Sequence, residues 1–377
     1  MSATCIEIDL SRIEGNARTL RERYGARGVE IAAVTKGVCG DPEVAQALVR
    51  GGIGALADSR LDNLARMRAA GVQAEYWLIR PPRPSQVERV VALADVSLNT
   101  ERATLRRLAE AAQKAGRVHQ VILMVESGDL REGFLPAEVA RAAEDAASLP
   151  GLHLRGLGTN LVCLNGVIPT PEVMSAFSAL VEEVEGRVGR RMETVSGGNS
   201  GNHGWIMSAA SPGRVNHLRI GEAILLGRES TRRRAIPGLA QDAFTVVGEV
   251  IEARDKPSVP TGEVGLNALG RRPAAASVGD AMMRRAIVAL GEQDVTLHGV
   301  RPRIPVEVVG ICGDQLVLAD RAGRLHVGDA VAFDVSYTAL LRAMTSPYLA
   351  KRYLPCPPAE APEDRVRNPL HFGAEGL

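Results

Sequence analysis

Aromatic residues make up only 3% of the 377-residue chain, too few to build the rows of stacking platforms that single-stranded nucleic acid needs. The net charge of +1 leaves no global field to draw in nucleic acid, a membrane surface or an acidic partner. No apolar run approaches the length needed to span a bilayer. The opening stretch, Met1-Ser2-Ala3-Thr4-Cys5-Ile6-Glu7-Ile8-Asp9, lacks a basic region followed by an apolar core, so a signal peptide is not expected. Cysteine is sparse. The five thiols (Cys5, Cys39, Cys163, Cys312 and Cys356) are odd in number, scattered and never spaced as CxxC. That argues for a reducing cytoplasm and against a disulfide framework or structural zinc. The seven histidines fall at no metal-ligand spacing, and no metal site is expected.

Lysine is scarcer still. Arginine carries nearly all the positive charge, and the only lysines are Lys36, Lys114, Lys256 and Lys351. Lys36 closes an apolar run, Ile31-Ala32-Ala33-Val34-Thr35, just before a small-residue turn, Gly37-Val38-Cys39-Gly40. A desolvated lysine amine can lose its proton and attack a carbonyl, which a guanidinium cannot do. A lysine where a buried strand opens into a loop is therefore a candidate for imine chemistry. The blander alternative is a strand-end lysine snorkelling to solvent.

The first two-thirds alternates short strand-like runs (6–10, 31–36, 55–58, 75–79, 96–99, 121–125, 154–160 and 193–196) with amphipathic helical ones, among them 42–50, 60–70, 101–115, 136–147 and 171–188. Asp41-Pro42-Glu43 is a strong helix start, with a capping Asp, Pro at the first helical position and an acid in the first turn. About eight repeats, with no glycine-rich dinucleotide fingerprint after the first strand, favour an α/β fold of the (β/α)8 barrel type over residues 1–235. Near Ile236-Pro237-Gly238 the rhythm changes to strand patterns at 244–252, 285–290, 304–311, 315–319 and 330–335. They predict a smaller all-β domain over 236–353. The Pro-, Glu- and Arg-rich remainder, 354–377, reads as a flexible tail.

Barrel chemistry collects at the C-terminal ends of the strands. If the run at 6–10 is the first strand, Lys36 ends the second and Arg131 follows the sixth. Asn160 then ends the seventh, and Val195-Ser196-Gly197-Gly198-Asn199-Ser200-Gly201-Asn202 follows the eighth. The segment Asn216-His217-Leu218-Arg219-Ile220-Gly221-Glu222 comes next. The Ser-Gly-Gly-Asn-Ser stretch offers backbone N–H groups without side-chain bulk, as a phosphate cradle requires. A lysine, a phosphate cradle and an arginine at one rim describe a site for pyridoxal 5'-phosphate, with Lys36 making the imine.

At these residues the chain resembles the fold-type III pyridoxal-phosphate enzymes of the alanine racemase group, most closely the ornithine (basic amino acid) racemase type. The resemblance runs over nearly all of residues 4–350. It is carried by Val34-Thr35-Lys36-Gly37-Val38-Cys39, Gly128-Asp129-Leu130-Arg131-Glu132-Gly133, Val195-Ser196-Gly197-Gly198-Asn199-Ser200 and Leu218-Arg219-Ile220-Gly221-Glu222-Ala223. Ala289-Leu290-Gly291-Glu292-Gln293-Asp294 and Tyr337-Thr338-Ala339-Leu340-Leu341 add to it. It implies an amino-acid racemase working as a homodimer, with Lys36 bonded to the cofactor. Ser200 and Asn199, with backbone from Gly198 and Gly221, are expected at the phosphate, together with Tyr337. Arg219 is expected at the pyridine nitrogen and Asn160 against the ring. Arg131 matches an arginine near the substrate carboxylate, and Asp314 is a further substrate-binding candidate.

One feature of the family is missing. The resemblance implies a second acid/base supplied as a tyrosine by the partner subunit, yet no tyrosine lies between Tyr76 and Tyr337, and Leu266 stands at the corresponding position. The thiols of Cys39, Cys163 and Cys312 are the catalytic candidates for that role, with Tyr337, Glu292 and Asp294 behind them. Met124 occupies the place where some relatives carry a modified lysine. Glu132, Glu222 and Glu292 are candidate contacts for a distal ammonium on lysine or ornithine. The absence of an HxC signature counts against the metal-assisted aldolases and dehydratases of this barrel. The alternatives are a basic amino acid decarboxylase of the same fold and a non-catalytic carrier of the cofactor, the second disfavoured by the extra β domain.

Overall fold

The computed structural model describes residues 4–270 and 282–354; the tail expected after Leu354 lies outside them. Strand β1 (Cys5–Asp9) is followed by helix α1 (Leu10–Gly25). Eight parallel strands then close a barrel in chain order: β2 (Glu30–Val34), β3 (Ala55–Asp58), β4 (Glu75–Leu78), β5 (Val96–Asn99), β6 (His119–Val125), β7 (Leu152–Thr159), β8 (Thr194–Ser196) and β9 (His217–Ile220). Between them run α2 (Pro42–Arg50), α3 (Leu61–Ala69), α4 (Val87–Leu93), α5 (Arg102–Lys114), α6 (Pro136–Ser148), α7 (Pro171–Val188) and the short α8 (His203–Ser208); α9 (Glu222–Leu226) follows β9. Closure is made by β2 and β9, with Ala32 beside Arg219 and Ala33 beside Ile220.

The strand near residues 6–10 does not open the barrel. β1 pairs antiparallel with β10 (Phe244–Pro257) and parallel with β16 (Ala350–Leu354). It therefore belongs to the second sheet, and Arg219 lies on the eighth barrel strand. The burial of β1 gives the reason. Its residues alternate buried Ile6 and Ile8 with less buried Glu7 and Asp9, the period of a sheet with one face toward solvent. Ile31, Ala32, Ala33 and Val34 are all buried, as parallel strands covered on both faces are.

The second domain is an eight-stranded sheet built on β10, with β11 (Met282–Val288), β12 (Val300–Pro302), β13 (Glu307–Ile311), β14 (Leu316–Ala319) and β15 (Ala330–Val335). It also carries one helix, α10 (Tyr337–Thr345), capped by Ser336, whose hydroxyl accepts the Ala339 N–H. The expected strands at 244–252, 285–290, 315–319 and 330–335 all lie in this sheet.

Apolar packing inside the barrel comes from Ala32, Val34, Ala57, Trp77, Val96, Leu98, Ile122 and Met124. Trp77 stacks on His217 with centroids 4.5 Å apart, an arrangement worth roughly 0.5–1.5 kcal/mol beyond its buried area. Two polar side chains fasten the domains around the lysine turn. Asp41 caps α2 through the Val44 N–H (3.2 Å) and receives the Tyr353 hydroxyl at 2.7 Å and Lys351 Nζ at 3.2 Å. Asn16 on α1 donates to the carbonyls of Ile224 and Ala240 and accepts from the Ala240 N–H.

Two barrel histidines are buried in the neutral form. Burial lowers His119 to about 4 and His217 to about 3, the nearby Arg219 adding to the second. The unfolded chain takes up these protons near the ordinary value of 6.5. Stability is therefore fully present above that value and is lost as pH falls toward the folded-state values. Urea unfolding should show a loss of about 1–2 kcal/mol per histidine between about pH 7 and about pH 5, reduced in His119→Gln. Stability that is flat across this window contradicts the assignment.

Candidate active site

Lys36 follows the first barrel strand and begins a short 3-10 turn, Lys36–Val38, ended by Cys39 in the left-handed region (φ 56°). The turn is held from below. Thr35 donates its hydroxyl to Asp58 at 2.7 Å, and Asp58 also accepts from Asn63 Nδ2 and the Arg60 N–H. From above it is covered by α10: a Cβ on Gly37 would lie 3.1 Å from Cε2 of Tyr337, so glycine lets that ring come close. The Lys36 amine makes no hydrogen bond or ion pair among the described residues. Burial pulls it below the usual lysine range; Cys163, Asp58 and Glu132 oppose the shift and Arg131 adds to it. An unpaired, half-buried amine held toward its neutral form is what a nucleophilic lysine requires.

Arg219 is fully enclosed, 4% exposed, and its hydrogen-bond partners are all neutral. Its Nη2 donates to the Thr159 carbonyl at 2.7 Å, and Nη1 donates to the Ser196 hydroxyl at 2.5 Å and to the Ser196 carbonyl at 3.2 Å. Burial lowers it to about 10, Arg131 adding to the shift and Glu132 and Cys163 opposing it. Arginine has donors only, so the Ser196 hydroxyl accepts from it, and the same hydroxyl lies 2.9 Å from His217 Nδ1. Burial keeps His217 neutral. Ser196 and His217 thus hold the guanidinium in place, a role that residue spacing gave no means of foreseeing.

The loop after β8 is organised by a residue without an assigned role in the sequence reading. Buried Asn202 donates to the Gly197 carbonyl (3.0 Å) and accepts the Asn199 N–H (3.0 Å). Gly198 sits at φ 142°, where a Cβ would meet Asn202 Oδ1 at 2.1 Å, so only glycine fits. Asn199 ties this loop to the β7 end through the Leu161 carbonyl and the Asn160 amide. The Ser200 hydroxyl accepts the N–H groups of Gly221 (3.3 Å) and Ala223 (3.1 Å) at the start of α9. Gly198, Asn199, Ser200 and Gly221 therefore come together, and helix starts at Ser200 and Glu222 flank them.

The opposite wall comes from the loops after β6 and β7. Arg131 forms a bidentate pair with Glu132, touches Cys163 Sγ with Nη1 at 2.5 Å and lies against the Asn160 amide. Glu126 holds its own loop by accepting the N–H groups of Gly128, Leu130 and Arg131. Asp129, buried, crosses to the next loop and accepts those of Cys163, Leu164 and Asn165.

Lys36, Arg131, Asn160, Cys163, Gly198, Asn199, Ser200, Arg219, Gly221 and Tyr337 are thus gathered at one end of the barrel. Three other candidates stay apart from them. The Cys39 sulfur turns to Asn63 and Arg66. Cys312 and Asp314 sit in the turn between β13 and β14, where the Cys312 carbonyl accepts the Glu292 N–H and Gly291 abuts the Asp314 backbone. Neither bonds to the barrel-end residues within the protomer. Among the described residues no cluster of three or more histidines, cysteines or acids could hold a metal.

The family model for the alanine racemase N-terminal domain matches residues 8–229. The chain is 39% identical to a lysine racemase of Thermotoga maritima over 92% of its own length and 98% of the relative's. It is 33% identical to an ornithine racemase of Acetoanaerobium sticklandii over 93% and 99%. Among solved structures it is similar to an alanine racemase from Streptomyces coelicolor, with a TM-score of 0.74, 19% identity, and 93% and 98% of the two chains covered. The chain belongs to the alanine racemase family.

Pyridoxal 5'-phosphate is the cofactor this family implies, and the residues present fit it. A buried guanidinium with only neutral partners, an unpaired lysine and a loop with no room for a Cβ at Gly198 form one site. Asp129→Ala removes the acceptor of three backbone N–H groups and should cost about 1–3 kcal/mol. Amide exchange at Cys163–Asn165 should speed up while that of β6 and β7 is unchanged. Unchanged exchange in the loop would show that Asp129 does not hold it.

Proposed function

We propose that the protein is a pyridoxal-phosphate-dependent racemase of lysine, ornithine or a similar basic amino acid, acting as a homodimer in the cytoplasm. The observation that carries this reading is the pairing of an amine-bearing Lys36, unbonded and held toward its neutral form, with Arg219 buried on the adjoining strand. The substrate class rests on likeness to the lysine and ornithine racemases. A reducing compartment is in keeping with the four free thiols among the described residues. The homodimer is in keeping with exposed Leu130 and Leu164 on the loops after β6 and β7, and with Leu266 on the arm after β10.

In this reading Lys36 would hold the cofactor covalently, and Gly198, Asn199, Ser200 and Gly221 would hold its phosphate, with Tyr337 packed over the lysine turn. The bound cofactor supplies an electron sink that makes the substrate's Cα proton removable. Arg219 is a donor-only group that keeps its charge at neutral pH, its pKa being about 10. Set toward the ring nitrogen, it would be a group that does not give up its proton, which would favour return of the proton to Cα. Lys36 would move that proton on one face. Glu132, fixed to Arg131 at the mouth, is the acid in place to meet a distal ammonium.

The reconstituted enzyme, incubated in heavy water with each enantiomer of lysine, ornithine and alanine, should yield equal L and D forms of the basic amino acids with deuterium at Cα. It should act on alanine at least about tenfold less well. Release of carbon dioxide instead of inversion would mark a decarboxylase, and no exchange with any amino acid would sink the reading. Lys36→Ala should lower turnover by at least about a thousandfold, and retained turnover would refute the assignment.

A further inference from the structure

Inversion requires a proton acceptor on one face of Cα and a proton donor on the other, and Lys36 supplies only one of them. Resting on the racemase reading, we propose that Cys163 is the acid/base of the opposite face, its sulfur oriented by Arg131 and its backbone fixed by Asp129.

Three observations place it. The first is contact: Arg131 Nη1 lies 2.5 Å from Sγ, and Arg131 is itself held by Glu132. The second is backbone. Val162, immediately before Cys163, is held at φ 61°, a region costing a β-branched residue on the order of 1–3 kcal/mol. The three N–H groups that follow, those of Cys163, Leu164 and Asn165, are all bonded to Asp129. A strained residue followed by a carboxylate staple fixes the backbone that carries the thiol. The third is elimination among the candidates. The Cys39 sulfur is engaged with Asn63 and Arg66, and within the protomer Cys312 does not bond to the barrel-end residues. Tyr337 packs on Gly37, next to Lys36. Cys163 is exposed at the mouth and lies within electrostatic reach of Lys36.

The proton balance closes. In one direction the neutral Lys36 amine takes the Cα proton and becomes an ammonium. The Cys163 S–H gives its proton to the other face of Cα and becomes a thiolate. In the reverse direction the roles exchange, and proton exchange with water returns both groups to their starting forms.

The test uses the holoenzyme in heavy water and follows exchange and inversion separately for each enantiomer. Cys163→Ala should keep Cα exchange for the enantiomer whose Cα–H faces Lys36. Inversion, and exchange of the other enantiomer, should fall at least about 100-fold. Cys163→Ser, which preserves volume, should show the same asymmetry. A racemising wild type whose Cys163→Ala variant inverts at an undiminished rate overturns this proposal alone. An equal fall in exchange of both enantiomers also overturns it, because a purely structural thiol would affect both faces alike. A wild type that neither exchanges nor inverts overturns the racemase reading and this proposal with it.

The cofactor-free protein gives a second readout. With Arg131 beside the sulfur, Cys163 should prefer anionic iodoacetate over neutral iodoacetamide about fivefold more strongly than Cys312 does. Arg131→Met should abolish that preference. Equal preferences at Cys163 and Cys312 in the wild type would contradict the Arg131 contact on which the proposal rests.

Discussion

The site depends on one register. β2 and β9, the first and last strands of the barrel, pair in parallel with Ala32 beside Arg219 and Ala33 beside Ile220. That pairing brings the turn after β2, which carries Lys36, next to the turn after β9, which carries Gly221. The two residue sets stand almost two hundred positions apart in the chain, and nothing local brings them together. Only closure of the barrel does so. The fit is close, since a Cβ on Gly221 would lie 3.2 Å from the Cβ of Val34. A slip of one residue would turn Arg219 from the barrel interior to the helix layer, where its neutral partners Thr159 and Ser196 could not reach it.

Burial of charge follows from that geometry. Taking a guanidinium out of water is costly unless its donors are satisfied. Here they are satisfied by carbonyl and hydroxyl oxygens, with no carboxylate in contact among the described residues. The barrel therefore holds a cation whose charge is not cancelled locally. His217 is kept neutral beside it by the same burial, with Arg219 adding to the effect. Lys36 is pushed toward its amine form by its own burial, with Arg131 adding to the shift. A carboxylate bonded to Arg219 would have cancelled the positive charge that the barrel now holds among neutral partners.

Much of this was legible in the sequence. Lys36 stood out because lysine is so scarce and because it ends a wholly apolar run. The Ser196–Ser200 stretch announced its freedom from side-chain bulk, and Asp41-Pro42 announced α2, which begins at Pro42. The expected strand near 6–10 was placed in the wrong sheet, although its alternation of Ile6 and Ile8 with Glu7 and Asp9 carried the signal of a half-solvated strand. The role of Asp129 was not legible. An acid in a loop after one strand gives no sign that its acceptors serve the loop after the next. The same holds for the Arg219–Ser196–His217 chain, which exists only because adjacent parallel strands present these side chains to one interior. Helix α10 was also missed, since it is a single short helix inside a region patterned as strands.

The account rests on Lys36 as the residue that bonds the cofactor, and the scarcity of lysine makes this directly measurable. The purified protein would be loaded with pyridoxal phosphate, reduced with borohydride, digested and mapped by mass spectrometry. The account predicts one modified peptide, with the added mass on Lys36. Modification at Lys114, Lys256 or Lys351 in place of Lys36, or no covalent adduct after reduction, would contradict it.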